Sequence, residues 1–483
     1  MIDRIPTEIL NIYKLLTDAT FAVYFVGGCV RNLLMNIPVK DWDLTTNATP
    51  EEILKIFPDG FYDNQFGTVG IPISSYSSSE EHSDESRSKN IDSSRQARTI
   101  THEIVEVTTF RTEQGYSDRR RPDVVAWGKT IKEDLARRDF TINAIALQCH
   151  SERNEESHTI DFEIIDLFGG QKDIEQKIIR AVGDPSKRFK EDALRLLRAV
   201  RIATELGFTI EEQTWNEIQK DASLISHVSG ERIQTEFLRI LGSEHPYDGV
   251  MLLRNAGLLE QILPELLQGV GVSQVRPGRH HTTDVFTHNM LSLKFCPAED
   301  PIVRFATLLH DVGKPKVRSE DEQGLVIFHN HEIVGSKIAR NICDRLKFSR
   351  KDRDKIVMLI RWHMFTVDEK STDAAIRRFI RRVGIENIQD MLDLRIADRL
   401  GSGTKTAESW RLKLFKERVE KELAPAAFSV NDLAIDGHDV MKELNLKPGP
   451  KVGEILQKLF IEVDEDLSKN TKEYLLKRTK ELS

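Results

Sequence analysis

Cysteine is scarce in this chain of 483 residues: the four, Cys29, Cys149, Cys296 and Cys343, are scattered, and no two form a Cys-x-x-Cys pair. That scatter argues against a zinc ribbon or a disulfide framework and leaves reduced, mostly buried thiols as the expectation. Long apolar runs are missing as well. No stretch can span a bilayer, and the opening "MIDRIPTEILNIYKLL" carries acids where a signal peptide needs an apolar core, so the expected compartment is the cytoplasm, with no membrane partner. Nor is there a surplus of positive charge. With 69 Lys and Arg against 77 Asp and Glu, the net charge is -8, so affinity for nucleic acid must come from local clusters. Two such clusters exist, Arg119 to Arg121 and "IRRFIRRVG" at 376–384, although basic clusters on helices are commonly solvated faces.

What is present is an ordinary globular composition, 39% hydrophobic and 30% charged, in a chain too long for one core. Strand-like runs such as "IVEVTTF" and "FEIIDLF" mix with short helices early on, whereas nearly everything after Lys177 has helical periodicity. The expected architecture is therefore α+β, a mixed head over 1–176 followed by helical parts over 177–272, 273–402 and 403–483. Two segments break the head's pattern. Residues 74–102 are Ser-rich, charged and almost free of large apolar side chains, and 149–160 resemble them in part ("HSERNEES"), so both read as disordered hairpin-loop insertions.

The stretch "VGGCVRNLLMNIPVKDWDL", 26–44, carries the first chemistry. An apolar run from Phe21 to Val26 predicts a buried strand, after which Gly27 and Gly28 allow a tight turn and close approach of a phosphate to main-chain N–H groups. A helix begins at Cys29, and Arg31 adds a full positive charge. Asp41 and Asp43 are then expected on a second extended run, alternate residues facing one way, so that both carboxylates converge. Converging carboxylates need a cation between them, and hard oxygen donors beside a phosphate site suit Mg2+. Each feature alone is commonplace; a solvated strand edge or a simple turn would account for either.

Further on, "RTEQGYSDRRRPDVVAWGKTIKEDLARRDFTINAIAL" supplies Arg111, Arg137 and Arg138, whose guanidinium forks match triphosphate oxygens, and Asp139, a carboxylate for a ribose hydroxyl. Glu106 is either a third acid at the metals or an outward strand residue. In "GDPSKRFKEDALRLLRAVR", Asp192 and Arg195 lie three apart on an expected helix face. An acceptor beside a donor fork can read the pairing edge of a base, while a surface ion pair is the plain alternative.

Taken in order, "GGCVRNLL…KDWDL", "RRDFTINAIA", "RFKEDALRLLRAVR" and "SGERIQTEFLRIL" resemble the motifs of the bacterial-type (class II) tRNA nucleotidyltransferases, the CCA-adding enzymes. The resemblance implies a polymerase-beta-like head, a helical neck that selects nucleotides, a body and a tail. It further implies that Asp41 and Asp43 hold catalytic Mg2+, that Gly27, Gly28, Arg31 and Arg111 serve the triphosphate and that Arg138 and Asp139 serve ribose and phosphates. Asp192 and Arg195, with Arg198 beside them, would select CTP and ATP, and Glu231 and Arg232 fall in a motif supporting the neck. Asn32 departs from the family, which usually has an acid there.

A second resemblance lies in the third part. His288, the adjacent His310 and Asp311 of "LLHDVGKP", and Asp398, with His331 and His363 between them, resemble the metal-dependent HD phosphohydrolase module. Imidazole and carboxylate ligands suit a transition ion such as Ni2+ or Mn2+, and a degenerate, structural module is the alternative. The function implied is template-independent addition of CCA to the tRNA 3′ end from CTP and ATP. "FRTEQGYSDRRRPDVV" resembles the loop of enzymes that complete the terminal adenosine, which favours full CCA over partial CC or A addition. Poly(A) polymerase and a stand-alone phosphohydrolase are the rivals.

Overall fold

A computed structural model describes residues 4–63, 67–73, 103–114, 124–151, 160–275, 283–365, 372–423 and 430–482. It divides into two compact units, Met1–Ile262 and Leu263–Ser483.

The first unit is built on a seven-stranded sheet of order β3-β4-β5-β2-β1-β8-β9, with β1 Val23–Val26, β2 Asp43–Thr46, β3 Phe61–Asp63, β4 Thr68–Ile73, β5 Glu103–Thr109, β8 Ile145–Ser151 and β9 Ile160–Asp166. A separate hairpin pairs β6 Arg111–Gln114 with β7 Val124–Trp127. All neighbours are antiparallel except β2 and β5, which run parallel and set Asp43 opposite Glu106. Helix Thr7–Asp18 lays Ile9, Ile12, Tyr13 and Leu16 on the sheet, where the Tyr13 ring stacks on Phe25 at 5.2 Å. Burying each such side chain contributes roughly 1.5–3 kcal/mol, which makes β1 and β2 a firm base for the residues that follow them.

Most of this unit is as the sequence led us to expect, with three differences. Asp41 lies in an exposed bend ahead of β2, so only Asp43 sits on the strand. Residues 149–151 and 160 of the second expected insertion are strand, pairing across β8 and β9; 152–159 and all of 74–102 lie outside the described residues, as do Arg119, Arg120 and Arg121. The expected continuous helix after Pro185 is two helices, Pro185–Glu191 and Leu194–Leu206. Asp192, between them, is extended (φ -140°, ψ 105°) and accepts from Leu194 N, the first residue of the second helix, at 3.1 Å. Asp192 and Arg195 therefore do not share a helix face.

In the second unit, helices Val285–Lys294, Pro301–Leu309, His331–Arg345, Arg350–Trp362 and Ile388–Gly401 pack together. Helix Asp373–Val383 joins helix Trp410–Leu423 and helix Pro450–Glu465, and the buried Asp464 accepts from Arg377 (2.7 Å) and Arg381 (2.5 Å). A final core gathers Val440, Ile455, Leu459, Val463 and Leu475. The four cysteines are free, and among the described residues no helix is long and apolar enough to cross a membrane.

Candidate active site and a buried histidine cluster

The first site forms where β1 ends. Gly27 has φ +77°, a left-handed conformation that favours glycine, and a Cβ there would lie 3.0 Å from Arg138 Nη1 and 3.5 Å from Asp43 Oδ2. The turn thus sits against both groups. Arg138 is placed by a local device: Thr130 and Glu133 form a capping box for helix Ile131–Ala136, which buries Asp134 at its end. Asp134 then accepts from Arg138 (3.0 Å) and Arg137 (2.5 Å), fixing two guanidinium groups beside the sheet.

A cleft of about 480 Å³ is lined by Asp43 and Glu106 on one side, by Arg111, Arg138 and Asp139, and by Asp192, Arg195, Arg198 and Arg232 on the other. Burial, with Glu106 and Asp41 nearby, pushes the Asp43 carboxyl up to about 6, although Arg138 pulls the other way. A partly buried carboxylate with further acids beside it fits a hard divalent cation, and Asp41, Asp43 and Glu106 are the oxygen donors available. The parallel register with Asp43 puts Glu106 on the cleft wall, as the third-acid reading requires.

Other predicted residues already have partners. Asp139 accepts from Arg198 (2.8 and 2.5 Å), Asn143 (3.2 Å) and Phe140 N (2.8 Å), so despite its burial the carboxyl is held well below the usual range by Arg198. Arg195 donates to Glu191 (2.8 Å) and to the Arg188 and Arg137 carbonyls. Arg31 donates to Asn143 (2.7 Å) and Asn32 (3.1 and 2.9 Å), and neither it nor Gly28 nor Asp41 is part of the cleft lining. Sequence reasoning gave Arg232 only a supporting role in the neck. In the structure it enters the cleft and forms a two-pronged ion pair with Asp192 (2.7 and 3.2 Å), so both oxygens of the expected base-reading carboxylate are engaged.

The second unit holds a different chemistry. His288, His310, Asp311, His331, His363 and Asp398 are all buried. His288 Nε2 lies 3.1 Å from His310 Nε2, and His331 Nε2 lies 3.4 Å from His363 Nε2. Asp311 joins the two pairs, Oδ2 facing His288 (3.3 Å) and His310 (3.4 Å), Oδ1 facing His331 (3.3 Å) and His363 (3.8 Å). Asp398 closes the first group at 3.2 Å from His288. The sequence reading placed His331 and His363 near the module without making them ligands; only folding brings them to Asp311. Gly313 makes this possible, since a Cβ there would strike the His331 carbonyl at 2.2 Å.

Three of these rings are locked from behind: His310, His331 and His363 each turn Nδ1 to a backbone carbonyl at 2.7–2.8 Å, which directs Nε2 inward as a donor atom for a cation. In that tautomer, neutral His331 and His363 would oppose lone pairs across 3.4 Å. The cluster calls for positive charge at its centre. Despite burial, Asp311 and Asp398 raise His310 to about 10, while burial lowers His363 to about 3. The donor set therefore fits a transition ion, and Asp311 is common to both groups of possible ligands.

Comparison with known proteins follows this division. Residues 23–180 match the poly A polymerase head domain, 207–269 the RNA and SrmB binding site of polymerase A, and 316–478 the tRNA nucleotidyltransferase domain 2. A CCA-adding enzyme of Ligilactobacillus salivarius is 30% identical over 491 residues, covering 100% of this chain and 98% of its own. One from Lactobacillus helveticus is 38% identical over 54% of this chain and 57% of its own length, and an A-adding tRNA nucleotidyltransferase of Deinococcus radiodurans is 36% identical over 70% and 76%. Among solved structures, the Bacillus stearothermophilus CCA-adding enzyme in complex with CTP superimposes with a TM-score of 0.66 at 26% identity, covering 98% of this chain and 96% of that one.

Proposed function

The chain belongs to the CCA-adding tRNA nucleotidyltransferases, and from that premise we propose that it adds C, C and A in turn to the tRNA 3′ end. CTP and ATP are the substrates, pyrophosphate leaves, and the reaction takes place in the cytoplasm. The observation that carries this reading is the cleft that gathers Asp43, Arg138, Asp192 and Arg195.

Asp41 and Asp43, with Glu106 beside them, are the residues that would hold Mg2+, which when bound makes the attacking hydroxyl more acidic and offsets triphosphate charge. Arg111 and Arg138 face the triphosphate, and because Asp134 fixes Arg138 beforehand, little side-chain freedom is lost on binding. Asp192 accepts from the exocyclic amine that cytosine and adenine share, while Arg195 donates to the adjoining ring nitrogen. Uracil and guanine present a carbonyl and an N–H there, so oxygen would face oxygen and donor would face donor. To read a base, Asp192 exchanges Arg232 for the amine. Asp139 orients Arg198 at the same wall, and Asn143 links it to Arg31.

Product sequencing tests this. Purified protein and Mg2+ are incubated with tRNA lacking its last three nucleotides, or lacking only the terminal A, and with each nucleotide singly and CTP plus ATP. Ends at CCA that vanish in Asp41→Ala/Asp43→Ala support the reading; a stop at CC, addition of A only to tRNA already ending in CC, or long A tails would reassign the product.

A second reading is supported by the inward-facing imidazole pairs: an HD-type phosphohydrolase site. His288, His310, His331, His363, Asp311 and Asp398 are the residues that would hold Ni2+ or Mn2+, whose contribution is to acidify a water against a phosphoester. Lys314, 2.5 Å from Asp311, and Arg395, 2.5 Å from Asp398, line the adjoining cavity of about 340 Å³ and offer cations to a phosphate. Metal content after dialysis, with hydrolysis of a 2′,3′-cyclic nucleotide, tests it; a protein that retains no metal would make the cluster structural.

A further inference from the structure

The basic run at 376–384 has no part in either site. On helix Asp373–Val383 the side chains of Ala374, Ile376, Ile380 and Val383 are buried, and Arg377 and Arg381 are taken up by Asp464, with Glu422 also on Arg377 at 2.9 Å. Arg378 and Arg382 are left on another stripe, four residues apart, where like charges repel. Arg378 only just reaches Glu465, at 4.0 Å. For Arg382, exposed to solvent, no carboxylate lies within ion-pair distance among the described residues.

These two guanidinium groups edge a cleft of about 420 Å³ whose opposite wall is the end of helix Arg350–Trp362. Arg361 and Arg382 lie 4.6 and 5.0 Å from the Trp362 ring centroid, which steadies the cations without neutralising them. The one acid in the lining, Glu332, faces Arg361 at 3.5 Å. The floor is aromatic: Phe365, Phe379 and Phe415 have centroids 4.7–5.3 Å apart, and Phe365 and Phe379 are only half-buried. Three arginines against one carboxylate favour an anion, and flat apolar rings beside them favour a base.

We propose that this cleft is an RNA-binding site that takes a backbone phosphate on Arg378 and Arg382 and a base on the aromatic floor. The lining holds charged and apolar side chains with no buried amide or hydroxyl to read a base edge, so recognition is of the chain and not of its sequence. That, with the solvent-exposed arginine edge, favours a continuous strand over an enclosed free nucleotide. The choice of probe rests on the tRNA reading above, but binding can be measured whether or not the protein extends its probe.

The test uses the full chain and its Arg378→Gln/Arg382→Gln variant, titrated by fluorescence anisotropy against tRNA lacking its last three nucleotides over a range of KCl. The expected result is binding weakened about tenfold, a plot of log affinity against log salt shallower by about two, and, in extension assays, a raised KM for tRNA with kcat unchanged. A parallel titration with AMP separates the sources. Loss of AMP binding with tRNA affinity and salt slope intact would overturn the RNA assignment in favour of a free nucleotide; no change in either would overturn the site altogether. Should the double variant melt early, Arg382→Gln alone, at an exposed position, repeats the measurement with the slope expected to fall by about one.

Discussion

The two units gather acidic groups in opposite ways. In the first, Asp43 and Glu106 sit on adjacent strands at the wall of an open cleft, Asp41 lies exposed in a bend, and only oxygen donors are available. In the second, imidazoles and carboxylates are buried at the base of a cavity, and His288, His310 and Asp311, like Asp311, His331 and His363, place ligand atoms within 4.8 Å of one another. Among the described residues no group at the first site is that tight. A loose oxygen site suits an ion that arrives with the triphosphate and leaves with pyrophosphate, because hard cations exchange readily when the protein supplies few ligands. A preformed nitrogen-rich cage suits an ion that stays. On the proposed reading, ligand geometry would separate a metal that comes and goes with substrate from one that stays.

That contrast can be broken most sharply at Asp43. Asp43→Ala should lower nucleotide addition by on the order of 10³-fold while leaving metal content of the second unit unchanged, as single-turnover extension and metal analysis would read. Asp311→Ala should do the reverse. By removing the shared carboxylate it should weaken Ni2+ or Mn2+ binding by about 100-fold in calorimetry, with CCA addition kept within about twofold. Equal loss of extension in both variants would mean the two sites do not act independently.

Smaller changes sharpen the account of the first site. Arg232→Gln removes the two-pronged partner that holds the Asp192 carboxylate in position before a base arrives, so we expect about tenfold less discrimination of CTP and ATP against UTP and GTP, read as the ratio of kcat/KM values. Unchanged ratios would show that Arg232 only braces the neck. Thr130→Ala removes the capping box that sets Asp134 under Arg138 and should cost about 1 kcal/mol in urea unfolding, with a modest rise in KM for the nucleotide.

Much of this was legible in the sequence where the signal is local. A strand, a Gly-Gly turn and a helix follow from residues 21–35, because backbone freedom and apolar patterning act over a few positions. The α+β head and helical remainder follow likewise, and His310 with Asp311 announced themselves as neighbours. Local rules failed at Asp192, where periodicity favoured one helix through "RFKEDALRLLRAVR". The chain breaks there because Asp192 has better options, the N–H of Leu194 and a guanidinium forty positions away. Nor do local rules show that the Arg31 guanidinium is drawn to Asn143, or that Asp139 gives Oδ2 to Arg198 and Oδ1 to Asn143 and Phe140 N.

The sequence by itself determined which chemistries the chain carries: paired aspartates beside a glycine turn, arginine forks, and a His-Asp step ahead of a close-packing glycine. Tertiary structure alone decided which of these groups face one another. It brought Glu106 opposite Asp43, set Arg232 on Asp192, and delivered His331 and His363 from two helices to the far side of Asp311. Residue type and spacing fix what a side chain can donate or accept, but its partner is chosen by packing between elements distant in sequence, where the cost of leaving a buried charge or donor unpaired selects one arrangement.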